Sequence, residues 1–227
     1  MPTVLITGAN RGLGLEFARQ YAADGWRVIA CTRVTDAPAL RELVAAAPQV
    51  SANVLDVTDH TAIDRLATEL SAMPIDVLLN VAGVMGSKRF GETDYAEWTH
   101  VLTVNVLAPM KMAEAFVQHV ASSDQKKIVT LSSRMGSIGD NTSGGYYAYR
   151  SSKAAANAVM KSMALDLAGR GIIAVPIHPG WVRTDMGGAS APLQTPDSAA
   201  GMRKVIAALT LADSGKFLQY EGQELAW

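Results

Sequence analysis

Tyr149 and Lys153 stand four residues apart in the stretch YYAYRSSK, residues 146–153. On a helix that spacing places a phenol and an ammonium on one face. A free tyrosine titrates near ~10. A neighbouring ammonium stabilises the phenolate and lowers that value. The phenol can then give a proton to a carbonyl oxygen, or take one from an alcohol. A tyrosine–lysine pair alone is a common coincidence, but this one has company. Ser132 and Ser133 close the run IVTLSSRMG, and Asn105 lies within LTVNV. Asp56, then Asn80-Val81-Ala82-Gly83, then Pro179-Gly180-Trp181-Val182-Arg183-Thr184 each follow a short apolar run.

A second chemistry is written at residues 7–14, TGANRGLG, just after the apolar trio Val4-Leu5-Ile6. Glycines at 8, 12 and 14 between a strand and a helix let an anion approach the backbone, where helix N–H groups point outward. Glycine serves tight turns equally well; the position after the first strand of an α/β chain favours a dinucleotide phosphate. The end of the second strand selects the cofactor. An acid there would bind the free ribose hydroxyls of NAD. This chain has Cys31-Thr32-Arg33 instead, with Arg11 inside the glycine turn. Two guanidinium groups suit a 2′-phosphate, so NADP(H) is expected and NAD(H) is second to it.

These groups must be held by a scaffold. Short β-branched runs at residues 4–7, 28–32, 54–57, 77–79, 128–131 and 172–177 read as strands, apolar on both faces as parallel strands are. Helical periodicity fills residues 12–24, 37–46, 59–71, 95–120, 148–169 and 196–210. Asp59 or Thr61 is the expected cap of the third helix, and Ser151 or Ser152 falls early in the fifth. The order predicts an α/β fold: one Rossmann-type doubly wound parallel sheet, helices on both faces, in a single domain over residues 1–227. The expected chemistry then lies at the carboxyl ends of the strands. Residues 187–197, GGASAPLQTPD, read either as a surface loop or as a lid, giving a substrate loop at about 184–197.

Composition sets bounds. With 227 residues, 49% of them hydrophobic, the chain can bury a full core. A net charge of −1 with scattered Lys and Arg gives no nucleic-acid or membrane surface. Cys31 is the only cysteine, and His60, His100, His119 and His178 have no metal-ligand spacing, so neither a disulfide nor a metal is expected. No segment is long and apolar enough to span a bilayer, and MPTVLIT lacks the layout of a secretion signal. The cytoplasm is the expected address.

Taken together, the motifs resemble the short-chain dehydrogenase/reductase family along essentially the whole chain. Thr7 to Gly14 match its T-G-x-x-x-G-x-G, Tyr149 and Lys153 its active-site pair, and Pro179-Gly180 its proline–glycine motif. The stretches GSIGDNTSGGYYAYRSSKAA and HPGWVRTDMGG and the ending GKFLQYEGQELAW resemble its C-factor/sniffer-type carbonyl reductases. The resemblance implies that Tyr149 is the general acid/base and that Lys153 lowers its pKa and binds the nicotinamide ribose. Ser133 would orient the substrate carbonyl, with Ser132 as the fallback, and Asn105 would hold a proton-relay water. Gly8, Asn10, Arg11, Gly12, Leu13, Gly14 and Arg33 would bind the cofactor, with Asp56 and Val57 at the adenine. Asn80, Ala82 and Gly83 would back it, and Pro179, Val182 and Thr184 would hold its carboxamide end.

Two departures stand out. Val81 replaces the second asparagine of N-N-A-G, which predicts fewer adenine-side contacts. Ser133 and Tyr149 lie 16 positions apart, the excess falling in a loop at 136–145. The substrate is a small-molecule carbonyl or alcohol, with Met85, Met135, Tyr147, Trp181 and Met186 suggesting an apolar pocket. Family members often form homodimers or homotetramers; the Ala/Met-rich face of helix 148–169 fits such packing, or ordinary core. Sugar-nucleotide epimerases of the extended branch need a larger C-terminal part than the 47 residues after Gly180. A dinucleotide-binding sensor needs no proton donor, and a purely structural domain does not account for so many coincident motifs.

Overall fold

The computed structural model describes residues 1–227 apart from Ala72 and Lys88. Seven parallel strands form one sheet in the order β3-β2-β1-β4-β5-β6-β7. They are β1 (Thr3–Thr7), β2 (Arg27–Thr32), β3 (Val50–Val54), β4 (Val77–Asn80), β5 (Lys127–Leu131), β6 (Ile173–His178) and β7 (Leu218–Gln219). The helices are α1 (Gly12–Ala23), α2 (Pro38–Ala46), α3 (His60–Glu69), α4 (Tyr95–Leu102), α5 (Ala108–Ala121), α6 (Tyr147–Leu167) and α7 (Thr195–Ala208).

The central strands are apolar on both sides because both sides are covered. Val4 and Ile6 of β1 join a core with Phe17 of α1, Leu40 of α2 and Met202 of α7. Leu5, between them, turns to the other core with Ile63 of α3, Phe116 of α5 and Met160 of α6. This is the doubly wound arrangement. Strand order reverses between β1 and β4, and the crevice beyond the carboxyl ends at such a switch point is where ligands bind.

The structure departs from the sequence reading in three places. The third strand is Val50–Val54 rather than 54–57: it is an edge strand of polar composition (VSANV), with Val54 71% exposed. Leu55 and Val57, which suggested the later register, follow the strand and pack into the core beside α3. The expected single helix over 95–120 is α4 and α5 joined by a π-helical turn, Thr103–Leu107. Pro109 has no N–H to offer the Asn105 carbonyl four residues earlier, and the Ala108 N–H reaches back to the Thr103 carbonyl instead. Strand β7, two residues long, is too short to leave a pattern. Helix α6 agrees with the expected 148–169 to within two residues and carries Ser151 and Ser152 early; it starts at Tyr147, after Gly144, Gly145 and Tyr146 at φ +62°, +66° and +53°. Asp59 does cap α3, accepting from the Ala62 N–H at 3.0 Å.

The glycine turn is packed to backbone contact. A Cβ at Gly14 would lie 2.2 Å from the Gly8 carbonyl oxygen. Gly14→Ala is therefore expected to lose about 1–3 kcal/mol of unfolding free energy, read as a lower urea midpoint.

Candidate active site

At the end of β1 the Thr7 hydroxyl accepts from the N–H groups of Val81 (3.0 Å) and Ala82 (3.1 Å). That pins the segment after β4 beside the glycine turn, with a Gly8 Cβ direction only 3.0 Å from the Ala82 Cα. Sequence reasoning treated Thr7 as part of a motif and missed this clamp. Asn80 closes β4, buried, its amide donating to the Thr130 hydroxyl at 3.3 Å.

Helix α1 opens differently from α3 and α4, whose first turns are capped by Asp59 and Asp94. Its N-cap, Arg11, makes no side-chain cap bond, and no acid occupies its first turn. Uncapped N–H groups at the positive end of the helix dipole, beside Gly12 at φ +53°, suit a phosphate. An added Gly12 Cβ would come only within 3.7 Å of the Thr184 methyl, so the loop after β6 faces this turn. Asn10 and Leu13 lie in the same turn and first helical residues.

Arg33 follows β2 at the surface. Its charge reaches Asp56, whose carboxyl is held below the usual range first by the Thr58 N–H, then by the Thr58 hydroxyl, Arg33 and His100. Arg11 pairs with Asp185 at 2.6 Å. Each arginine thus sits beside a carboxylate. The Val57 side chain is buried in the core.

The residues expected to handle the proton lie close together. Tyr149 and Lys153 lie on α6 with 7% and 5% of their surface exposed. The Ser133 hydroxyl hydrogen-bonds the Tyr149 phenol and accepts from the Met135 N–H at 3.1 Å. Ser132 instead donates to the Asn157 carboxamide oxygen at 2.6 Å, deep in the core; geometry separates the two serines that the sequence left open. Lys153 Nζ donates to the Leu131 carbonyl at 2.7 Å and lies 5.6 Å from the centre of the Tyr149 ring. Asn105 is cross-braced: its carboxamide accepts from the Val84 N–H and donates to the Val84 carbonyl and the Ser152 hydroxyl, each at 2.9 Å. Ser152 in turn donates to the Tyr149 carbonyl at 2.8 Å. Gly83 leaves room here, its Cβ direction 3.3 Å from Asn105 Oδ1 and 3.7 Å from Lys153 Nζ.

Electrostatics depart from the expectation. Burial pushes the Tyr149 phenol up to about 12, only partly countered by Ser133. Burial pushes the Lys153 ammonium down to about 8. Desolvation dominates because both groups are buried and Nζ is committed to the Leu131 carbonyl, over the ring face.

After β6, Pro179 accepts from the Ser198 hydroxyl at 2.6 Å, and Gly180 turns the chain at φ +86°. Val182 is buried and bridges to Leu193. Thr184 accepts from the Gly187 N–H at 3.1 Å and the Trp181 indole donates to the Gly187 carbonyl at 2.8 Å. The region expected at 184–197 is thus a self-bonded loop ending where α7 begins at Thr195. Trp181, Met186 and Tyr147 are exposed, and Tyr147 meets Phe90 at 6.0 Å. Met85 and Met135 are half-buried. Residues 137–146 form a loop after the short turn Arg134–Gly136, with the Ser137 hydroxyl and Gly139 N–H donating to a Trp227 main-chain oxygen. On α6, Met160, Met163 and Ala164 face the protein's own core.

The short chain dehydrogenase family model matches residues 2–194. The chain belongs to that family. Among its relatives, this short chain dehydrogenase is 44% identical to C-signal of Myxococcus xanthus over 71% of this chain and 98% of that protein. The carbonyl reductase Sniffer of D. melanogaster superposes with a TM-score of 0.95 at 33% identity, covering all of both chains. An NADPH-bound carbonyl reductase from chicken fatty liver superposes with a TM-score of 0.93 at 32% identity, covering 100% of this chain and 99% of that one. Among the described residues, no helix of this short chain dehydrogenase is long and apolar enough to cross a membrane.

Proposed function

We propose that this short chain dehydrogenase is an NADP(H)-dependent oxidoreductase that interconverts a carbonyl and an alcohol. The observation that carries the reading is the buried Tyr149 phenol, hydrogen-bonded to Ser133 and backed by the Lys153 ammonium. A bound reduced nicotinamide would supply hydride to the carbonyl carbon. The uncapped α1 amides with Gly8, Asn10, Gly12, Leu13 and Gly14 would hold its phosphates, and Arg11 and Arg33 the 2′-phosphate. Asp56 and the main chain at Val57 would meet the adenine. Asn80, Ala82 and Gly83 would back the cofactor, and Pro179, Val182 and Thr184 its carboxamide.

The chain's own groups do the rest. Ser133 orients the carbonyl oxygen toward Tyr149. Tyr149, protonated at neutral pH, gives that oxygen its proton. Lys153 stabilises the phenolate that forms. The backbone of Asn105, relieved of its usual helical donor by Pro109, holds a water through which Tyr149 and Lys153 are reprotonated. The exposed Tyr147, Trp181 and Met186 would contribute apolar contacts suited to a small or aromatic carbonyl.

The likeness to C-signal favours one second reading, a dinucleotide-binding sensor with little turnover. Oxidation of NADPH and NADH across aldehydes, ketones and quinones separates the two. Turnover that prefers NADPH supports the reductase; faster turnover with NADH removes the cofactor assignment; tight NADPH binding with no carbonyl reduced supports the sensor.

A further inference from the structure

We infer that Asp185 is the counter-ion that holds Arg11 while the 2′-phosphate is absent and releases it when the phosphate arrives. The inference rests on the NADP(H) reading above and adds a residue that sets the strength of that preference. Arg11 Nη1 and Asp185 Oδ2 lie 2.6 Å apart across 174 positions of sequence, with side chains 71% and 78% exposed. They join the glycine turn to the loop after β6 on either side of the uncapped α1 N-terminus.

Asp185 is not needed to shape its own loop. That loop is fastened by the Val182–Leu193 bridge, by the Arg183 guanidinium on the Ala191 carbonyl, and by the Gly187 and Gly188 N–H groups on Thr184. Among the described residues the Asp185 carboxylate is bonded to Arg11 alone. The remaining Arg11 N–H groups are spare, and a guanidinium prefers the bidentate geometry a phosphate offers.

An exposed ion pair is weak and exchangeable, whereas a phosphate monoester brings nearly two negative charges. Exchange therefore runs toward the cofactor, but the cost of parting Arg11 from Asp185 is subtracted from NADPH binding. NADH, with no 2′-phosphate, leaves the pair intact and bears no such cost. Asp185 thus moderates the preference and speeds release of the phosphorylated cofactor.

The test is the dissociation constant of NADPH and of NADH, followed by cofactor fluorescence, for the parent protein, Asp185→Asn, Arg11→Gln and the double variant. Asp185→Asn is expected to tighten NADPH by about two- to five-fold relative to NADH. In the Arg11→Gln background the same change should leave the NADPH-to-NADH ratio where it was. If Arg11→Gln weakens NADPH selectively, yet Asp185→Asn moves both cofactors equally or neither, the exchange is refuted and the cofactor assignment stands. If Arg11→Gln leaves the ratio at the parent value, the assignment of the 2′-phosphate to Arg11 fails, and the exchange with it.

Discussion

Tyr149→Phe is expected to lower kcat for carbonyl reduction by about 10²–10⁴-fold, the usual contribution of a positioned general acid. The phenol is more than nine-tenths removed from solvent on α6, and phenylalanine keeps the same buried ring. The variant loses the oxygen that meets Ser133 and little else. With burial holding the phenol at about 12, it carries its proton throughout the neutral range and is a donor whenever a carbonyl is bound. NADPH affinity should stay near that of the parent, so the loss falls on kcat. Steady-state kinetics beside a binding titration reads both quantities.

Lys153→Met is expected to lower kcat by about 10²–10³-fold, the scale for losing one preorganised charge at a developing anion. The parent should also show a pH profile that the variant lacks. Burial lowers Lys153 from 10.5 to about 8, so the reduction rate should be level below about 8 and fall above it as the ammonium is lost. The same shift makes a stability prediction with a defined sign. Between about 8 and 10.5 the unfolded chain binds the lysine proton that the folded chain has released, so stability rises with pH across that window. Below it the fold carries the full cost of a buried ammonium. Methionine removes that cost, and Lys153→Met should be more stable at pH 7 by roughly 1–3 kcal/mol, the gain shrinking toward pH 10.5. Urea unfolding at pH 7 and pH 10 checks it.

The fold was legible wherever a strand lies in the interior. Runs such as TVLIT and KIVTL are mostly apolar and buried at every position, because two helical layers cover them. Edges were not legible: β3 is half polar because one flank meets water, and β7 has two residues. The π-turn was hidden because Pro109 falls where a helix start tolerates it; its consequence appears only with Asn105 opposite Val84. Within the site, spacing and family pattern pointed to Tyr149, Lys153 and Ser133 or Ser132, and the structure places Tyr149, Lys153 and Ser133 together. Choosing between Ser132 and Ser133 required side-chain direction, which alternates along a strand end. Thr7, Ser152 and Asp185 were invisible because each acts on a residue tens to hundreds of positions away. The phenol's raised pKa was misjudged from sequence because spacing reports the ammonium's nearness and not the burial that opposes it.

In the proposed reaction hydride moves from a nicotinamide to a carbonyl held at Tyr149. The direct measurement uses NADPH carrying deuterium at both C4 positions, incubated with the protein and each carbonyl of the panel, with the alcohol analysed by mass spectrometry. The expected product is an alcohol bearing one deuterium on the former carbonyl carbon, formed by the parent and nearly absent with Tyr149→Phe. Saturating NADPH binding with no deuterated alcohol from any carbonyl, or equal yields from parent and variant, would contradict it.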